Sequence, residues 1–91
     1  MEKITEENVQ GIIAQINKKA NKELIKDFCI KDLIDEETNQ KCYTVISLIL
    51  NGRFVYNTEV FDAWKVTFGA NNCGVSVDKN RLVVHLNFIY D

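Results

Sequence analysis

Residues 41–50 read KCYTVISLIL, and no other stretch constrains the fold as strongly. The run is rich in β-branched and aromatic residues, so it reads as a strand. Asn51-Gly52 follows it. That pair is the strongest short hairpin signal in the chain, because a type I′ turn needs positive φ at both central positions. With 53–56 as the returning strand, one face carries Cys42, Ile46, Leu48, Leu50 and Val55. The other carries Tyr43, Val45, Ile49, Phe54 and Tyr56. An antiparallel sheet with one wet side alternates apolar and polar residues, and this ribbon does not. Both faces therefore call for a cover, since each buried side chain of this size stabilises by about 1.5–3 kcal/mol. Two arrangements supply it. The helices pack on opposite faces, or both lie on one face and a partner, such as a second copy, covers the other.

The remaining elements follow from local signals. Thr5 is a good N-cap, with Glu6 and Glu7 at the positive end of the helix dipole and Ile4 and Val9 placed as a hydrophobic staple. Val9, Ile12, Ile13, Ile16 and Ala20 recur at helical spacing. A break near Asn21 leads into a strand over 24–34, and DEETN makes a polar turn into 41–50. A second helix starts at Asn57, buries Val60, Phe61, Trp64 and Phe68, and ends at Gly69. A final hairpin joins CGVSV to RLVVHLNFI through Lys79-Asn80, and the last strand offers an unpaired edge for strand addition. The expected fold is α+β, a single domain over 1–91 in the order α-β-β-β-α-β-β, with a mostly antiparallel sheet packed with two helices.

Three cysteines and one histidine match the ligand count of a structural zinc site. Such sites take ligands in pairs about two to five residues apart, and Cys29, Cys42, Cys73 and His85 are all separated by more. A two-residue turn at Lys79-Asn80 also sets Cys73, Val75, Val77, Leu82, Val84, Leu86 and Phe88 on one face. His85, Ser76, Val83 and Asn87 fall on the other. The cysteines are therefore expected as small buried or half-buried hydrophobes, with no metal and no cofactor. No phosphate-binding glycine loop, CxxC or HExxH occurs, and Ser76 beside His85 reads as a surface hydrogen bond. The chain is read as non-enzymatic.

The net charge of −2 does not attract nucleic acid to the chain as a whole. The first five elements resemble double-stranded-RNA-binding domains in their order, and the resemblance stops there. It implies basic residues at the start of the second helix. That start reads NTEVFDAWK, whose Glu59 and Asp62 repel phosphate. A nucleic-acid module using Lys18, Lys19, Lys22, Lys26 and Lys31 is the alternative function. The leading expectation is a protein-binding module whose partner is another protein or a second copy. A small phage or mobile-element inhibitor of a host nucleic-acid-handling defence enzyme, of the anti-CRISPR type, is its narrower form. On that reading Asp32, Asp35, Glu36, Glu37, Glu59 and Asp62 are contact residues, with Trp64 as an apolar anchor. No run approaches the roughly 20 apolar residues that span a bilayer, and the charged N-terminus lacks a signal segment. The odd cysteine count agrees with a cytoplasmic protein without membrane contact.

Overall fold

The computed structural model describes residues 4–51 and 58–89. It contains α1 (Glu6–Ala20), β1 (Ile25–Ile34), β2 (Lys41–Leu50), α2 (Thr58–Phe68), β3 (Asn72–Asp78) and β4 (Arg81–Ile89). The four strands form one antiparallel sheet in the order β1-β2-β4-β3, so the fold is α+β as expected. The second half of the Asn51-Gly52 turn, the 53–56 strand and the Asn57 cap lie outside the described residues. Both flanks of β2 are filled, one by β1 and the other by β4. One expectation is corrected. β4 is an interior strand, and the sheet edges are β1 and β3. Because β4 pairs antiparallel with both β2 and β3, those two run parallel. The β2–α2–β3 crossover thus leaves a gap that the chain's last strand fills.

The local signals act as their chemistry requires. Thr5 accepts a hydrogen bond from the Asn8 amide at 3.2 Å and caps α1. Ile4 packs against the core beside the fully buried Val9. Asn21 takes a left-handed conformation (φ 58°) and stops the helix, with Asn21 N–H bonded to Lys18 O and Lys22 N–H to Asn17 O. Lys79 and Asn80 both have positive φ, 49° and 66°, which makes the β3–β4 connection the two-residue turn. Its register then follows: Val77 faces Leu82, Val75 faces Val84 and Cys73 faces Leu86.

Asn17 joins α1 to the sheet, a role its place in the sequence does not advertise. Its Oδ1 accepts from the Leu24 and Ile25 amides at 3.0 Å each, and its Nδ2 donates to Ile25 O at 3.1 Å. These bonds satisfy both backbone groups of Ile25 in a tight helix-to-strand connection and share the Leu24 amide with Lys22 O. Asn17→Ala removes all three, and we expect a loss of about 2 kcal/mol, read as a lower urea midpoint with an unchanged m-value.

Both helices serve a single core. It is built from Val9 of α1, Phe61, Trp64 and Phe68 of α2, and Ile25, Ile46, Leu48, Leu50, Val84, Leu86 and Phe88 of the sheet. Each of the β2 and β4 residues in that set lies on the same sheet face by register. The helices therefore gather on one side, α1 nearest β1 and α2 nearest β3. Of the two helix placements open to the sequence, the one-sided placement is the one found. No described helix is long and apolar enough to cross a membrane.

Candidate functional site: the open sheet face

The opposite face of the sheet carries no described helix, and its composition follows from the register. At one end Leu33, Tyr43 and Ile89 stand side by side. Next come Lys31, Val45, Asn87 and Asn72, then Cys29, Ser47, His85 and Gly74, then Asp27, Ile49, Val83 and Ser76. Six apolar or aromatic side chains thus share it: Leu33, Tyr43, Val45, Ile49, Val83 and Ile89. Leu33 and Ile89 are 48% and 52% exposed, and Tyr43, Val45 and Ile49 are half-buried. Val83 is 7% exposed without any described helix above it, and Ile49 and Ser76 are its cross-strand neighbours.

The polar groups on this face satisfy one another. His85 Nδ1 lies 2.9 Å from Ser47 Oγ, and its Nε2 lies 2.7 Å from Ser76 Oγ. A neutral imidazole has one donor and one acceptor nitrogen, so one serine hydroxyl accepts from the ring and the other donates to it. In hydrolytic triads the second ring nitrogen is oriented by a carboxylate; here a second hydroxyl holds it. Asn87 Nδ2 donates to Asn72 Oδ1, and Asn71 Oδ1 accepts from the Ile89 amide at 2.8 Å. Among the described residues no buried side-chain nitrogen or oxygen lacks a partner. Covering this face with an apolar surface would leave its central histidine and asparagines bonded, which removes the usual cost of burying them.

The contact residues expected from the sequence fall in three places. Asp35, Glu36 and Glu37 form the exposed β1–β2 tip. Asp35 is part of the turn itself: its Oδ1 accepts from the Glu37 amide at 2.9 Å, and its carbonyl accepts from Asn39, whose φ is 58°. Asp32, just before the tip, accepts the Thr44 hydroxyl at 2.6 Å. Glu59 and Asp62 sit on α2, and Asp62 lines a groove with Phe61, Cys73, Val75, Val77 and Leu82, beside the β3–β4 turn. The tip rises from the other end of the sheet. From the Leu33 row to the Asp27 row alone is about 20 Å at roughly 3.3 Å per residue. The acidic residues are thus not one patch. Trp64 is 6% exposed, in the core beside Phe61 at a ring-centroid distance of 5.4 Å. It anchors α2 in the core, and its outer edge lines a groove with Ile16, Lys19 and Leu24.

The cysteines need a partial correction. Cys73 is half-buried on the helix side, but Cys29 and Cys42 are exposed. Cys29 lies on the open face of an edge strand, and Cys42 lies where the β1–β2 register shifts, its thiol donating to Leu33 O at 3.4 Å. Burial pushes the Cys73 thiol pKa up, and the Asp62 carboxylate pushes it further while Lys65 opposes. That thiol is therefore protonated and unreactive near neutral pH. Cys73 and His85 point to opposite faces, and no group of three or more metal-ligating residues converges among the described residues.

Comparison with family models, with curated proteins and with solved structures returns no match to this chain.

Proposed function

We propose that this chain is a protein-binding module whose contact surface is the helix-free face of its sheet. The observation that carries the reading is the one-sided helix layer, which leaves Leu33, Tyr43, Val45, Ile49, Val83 and Ile89 on a face no described element covers. Apolar side chains left on a sheet face beside charge are a mark of a protein contact, and here Leu33, Tyr43, Val45 and Ile89 at one end and Ile49 and Val83 at the other flank the Ser47–His85 row, with Lys31 and Asp27 on the β1 side. The internally bonded Ser47–His85–Ser76 group suits burial under a partner that offers no hydrogen bonds of its own.

The test places Val45→Lys and Ile49→Lys together in one variant. Both side chains are half-buried and lie outside the helix-side core, so the variant keeps its fold by circular dichroism. Immobilised wild-type protein is expected to retain a protein partner from cells of the source organism, and the variant to lose it. Retention of RNA or DNA without protein, released steeply as salt rises, would favour a nucleic-acid module working through Lys18, Lys19, Lys22, Lys26 and Lys31 and would overturn the reading.

A further inference from the structure

β1 is an edge strand: no described strand pairs with its outer flank, where the Asn17 side chain holds the Ile25 backbone at one end and leaves 27–31 clear. Its middle reads KDFCIKD over 26–32, and the charges are antisymmetric about Cys29. Asp27 and Lys31 stand equally far from Cys29 with opposite sign, and so do Lys26 and Asp32. A strand of this kind is complementary to its own copy turned antiparallel about the centre. We propose that β1 pairs with β1 of a second copy, centred on Cys29, joining two four-stranded sheets into one.

The backbone directions fix which registers exist. The Phe28 amide is bonded to the Asp27 side chain at 2.8 Å. The Leu33 carbonyl and the Asp35 amide instead bond toward β2, to the Cys42 thiol and to Gln40 O. Beyond the register shift that follows Ile25, odd-numbered residues of β1 thus turn their backbone groups inward, and Phe28 and Ile30 present theirs to the edge. An antiparallel neighbour must match outward groups with outward groups, so registers step two residues at a time. Centred on Cys29, Phe28 exchanges hydrogen bonds with Ile30 of the copy, and Asp27 faces Lys31 of the copy on the open side. The symmetry axis repeats each pair. Centring on Asp27 or on Lys31 sets like charges against each other. Centring on Phe28 or Ile30 leaves both without an opposite charge. Charges on an edge strand ordinarily keep edges apart; here they reject every register but one. The Phe28 amide exchanges its Asp27 bond for the Ile30 carbonyl, which releases the Asp27 carboxylate toward Lys31.

Cys29 supplies a direct reporter. In this register the two Cys29 residues form a non-hydrogen-bonded pair, with Cα atoms about 4.5 Å apart, inside the roughly 4.4–6.8 Å range of a disulfide. The assembly places both open faces on one side of the joined sheet. It stands whatever occupies those faces, so its failure leaves the proposed function intact and the reverse also holds.

The experiment has two arms. Sedimentation measures the dimer constant of the wild type, of Asp27→Lys, of Lys31→Asp and of the double variant. Each single change turns two attractive pairs into two repulsive ones and is expected to weaken the dimer about tenfold or more. The double variant restores it. All three positions, Cys29 included, are exposed, so folding is unaffected. In the second arm Cys42→Ser and Cys73→Ser leave Cys29 as the sole thiol. Diamide then takes two electrons and two protons from the paired thiols, and a covalent dimer forms in the charge-matched proteins and not in the single variants. A wild type that stays monomeric at millimolar concentration overturns the proposal. So does a dimer that the single charge changes leave intact, or one that the double variant fails to restore.

Discussion

Leu48→Ala is expected to lower stability by about 3 kcal/mol, whereas Ile49→Ala, one residue further on, costs about 1 kcal/mol. The two residues belong to the same strand and are nearly the same size. Leu48 points into the helix-side core, is fully buried, and stands opposite Phe28 on one flank and Val84 on the other. Truncating it removes buried methyl groups and leaves a cavity that the packed helices cannot collapse into. Ile49 points to the open face and is only half-buried, so its truncation exposes neighbours to water without forming a void. Urea midpoints measured at low micromolar protein, where the chain stands alone, give the contrast directly. Equal losses at both positions would mean that a cover lies on the second face of the isolated chain. With a domain of this size holding about 5–15 kcal/mol in total, the Leu48 loss is a large share.

The same pair of residues shows where reading the sequence reaches its limit. Alternation sorts 43–50 into two faces, and each of those residues lies on the face the pattern assigns, while Cys42 falls at the register shift. Nothing in the pattern tells which face the helices choose, because both read as apolar. That choice is made by non-local features: the Asn17 clamp that lays α1 against β1, and the α2 crossover that β4 later fills. The final hairpin was legible in full, since a two-residue turn of Lys79 and Asn80 fixes a register by itself. The interior place of β4 was not, because pairing with β2 joins segments distant in sequence and leaves no local trace. The acidic residues are spread over the fold for a related reason. Asp35, Glu36 and Glu37 cap one end of a strand, while Asp62 rides a helix whose start is set at the sheet's other end. The exposure of Cys29 follows from β1 being an edge, so it too depends on strand order. The charge antisymmetry of KDFCIKD was present in the sequence throughout, but it acquires meaning only once β1 is known to be an edge strand.

Phe68→Ala is expected to cost about 4 kcal/mol, the largest loss of any single truncation in α2. An isolated helix as short as α2 has little stability in water, so its apolar face must hold it. That face is narrow: Phe61, Trp64 and Phe68 are its buried members. Phe68 is fully buried in the last turn, where the chain leaves the helix through Gly69 at φ 75° and enters β3 within a few residues. Its loss therefore weakens the helix and the anchor of the following edge strand together. Trp64, the only tryptophan of the chain, lies one turn earlier and reports on this directly. Its fluorescence should shift to the red, as water reaches it, at the same urea concentration at which the sheet signal in circular dichroism disappears. Coincident transitions are required because the side chains around Trp64 are those that hold β2 and β4 from above. A tryptophan transition well ahead of the sheet transition would show α2 detaching from an intact four-stranded sheet, and the single shared core described by Val9, Leu48, Phe61 and Leu86 would have to be divided in two.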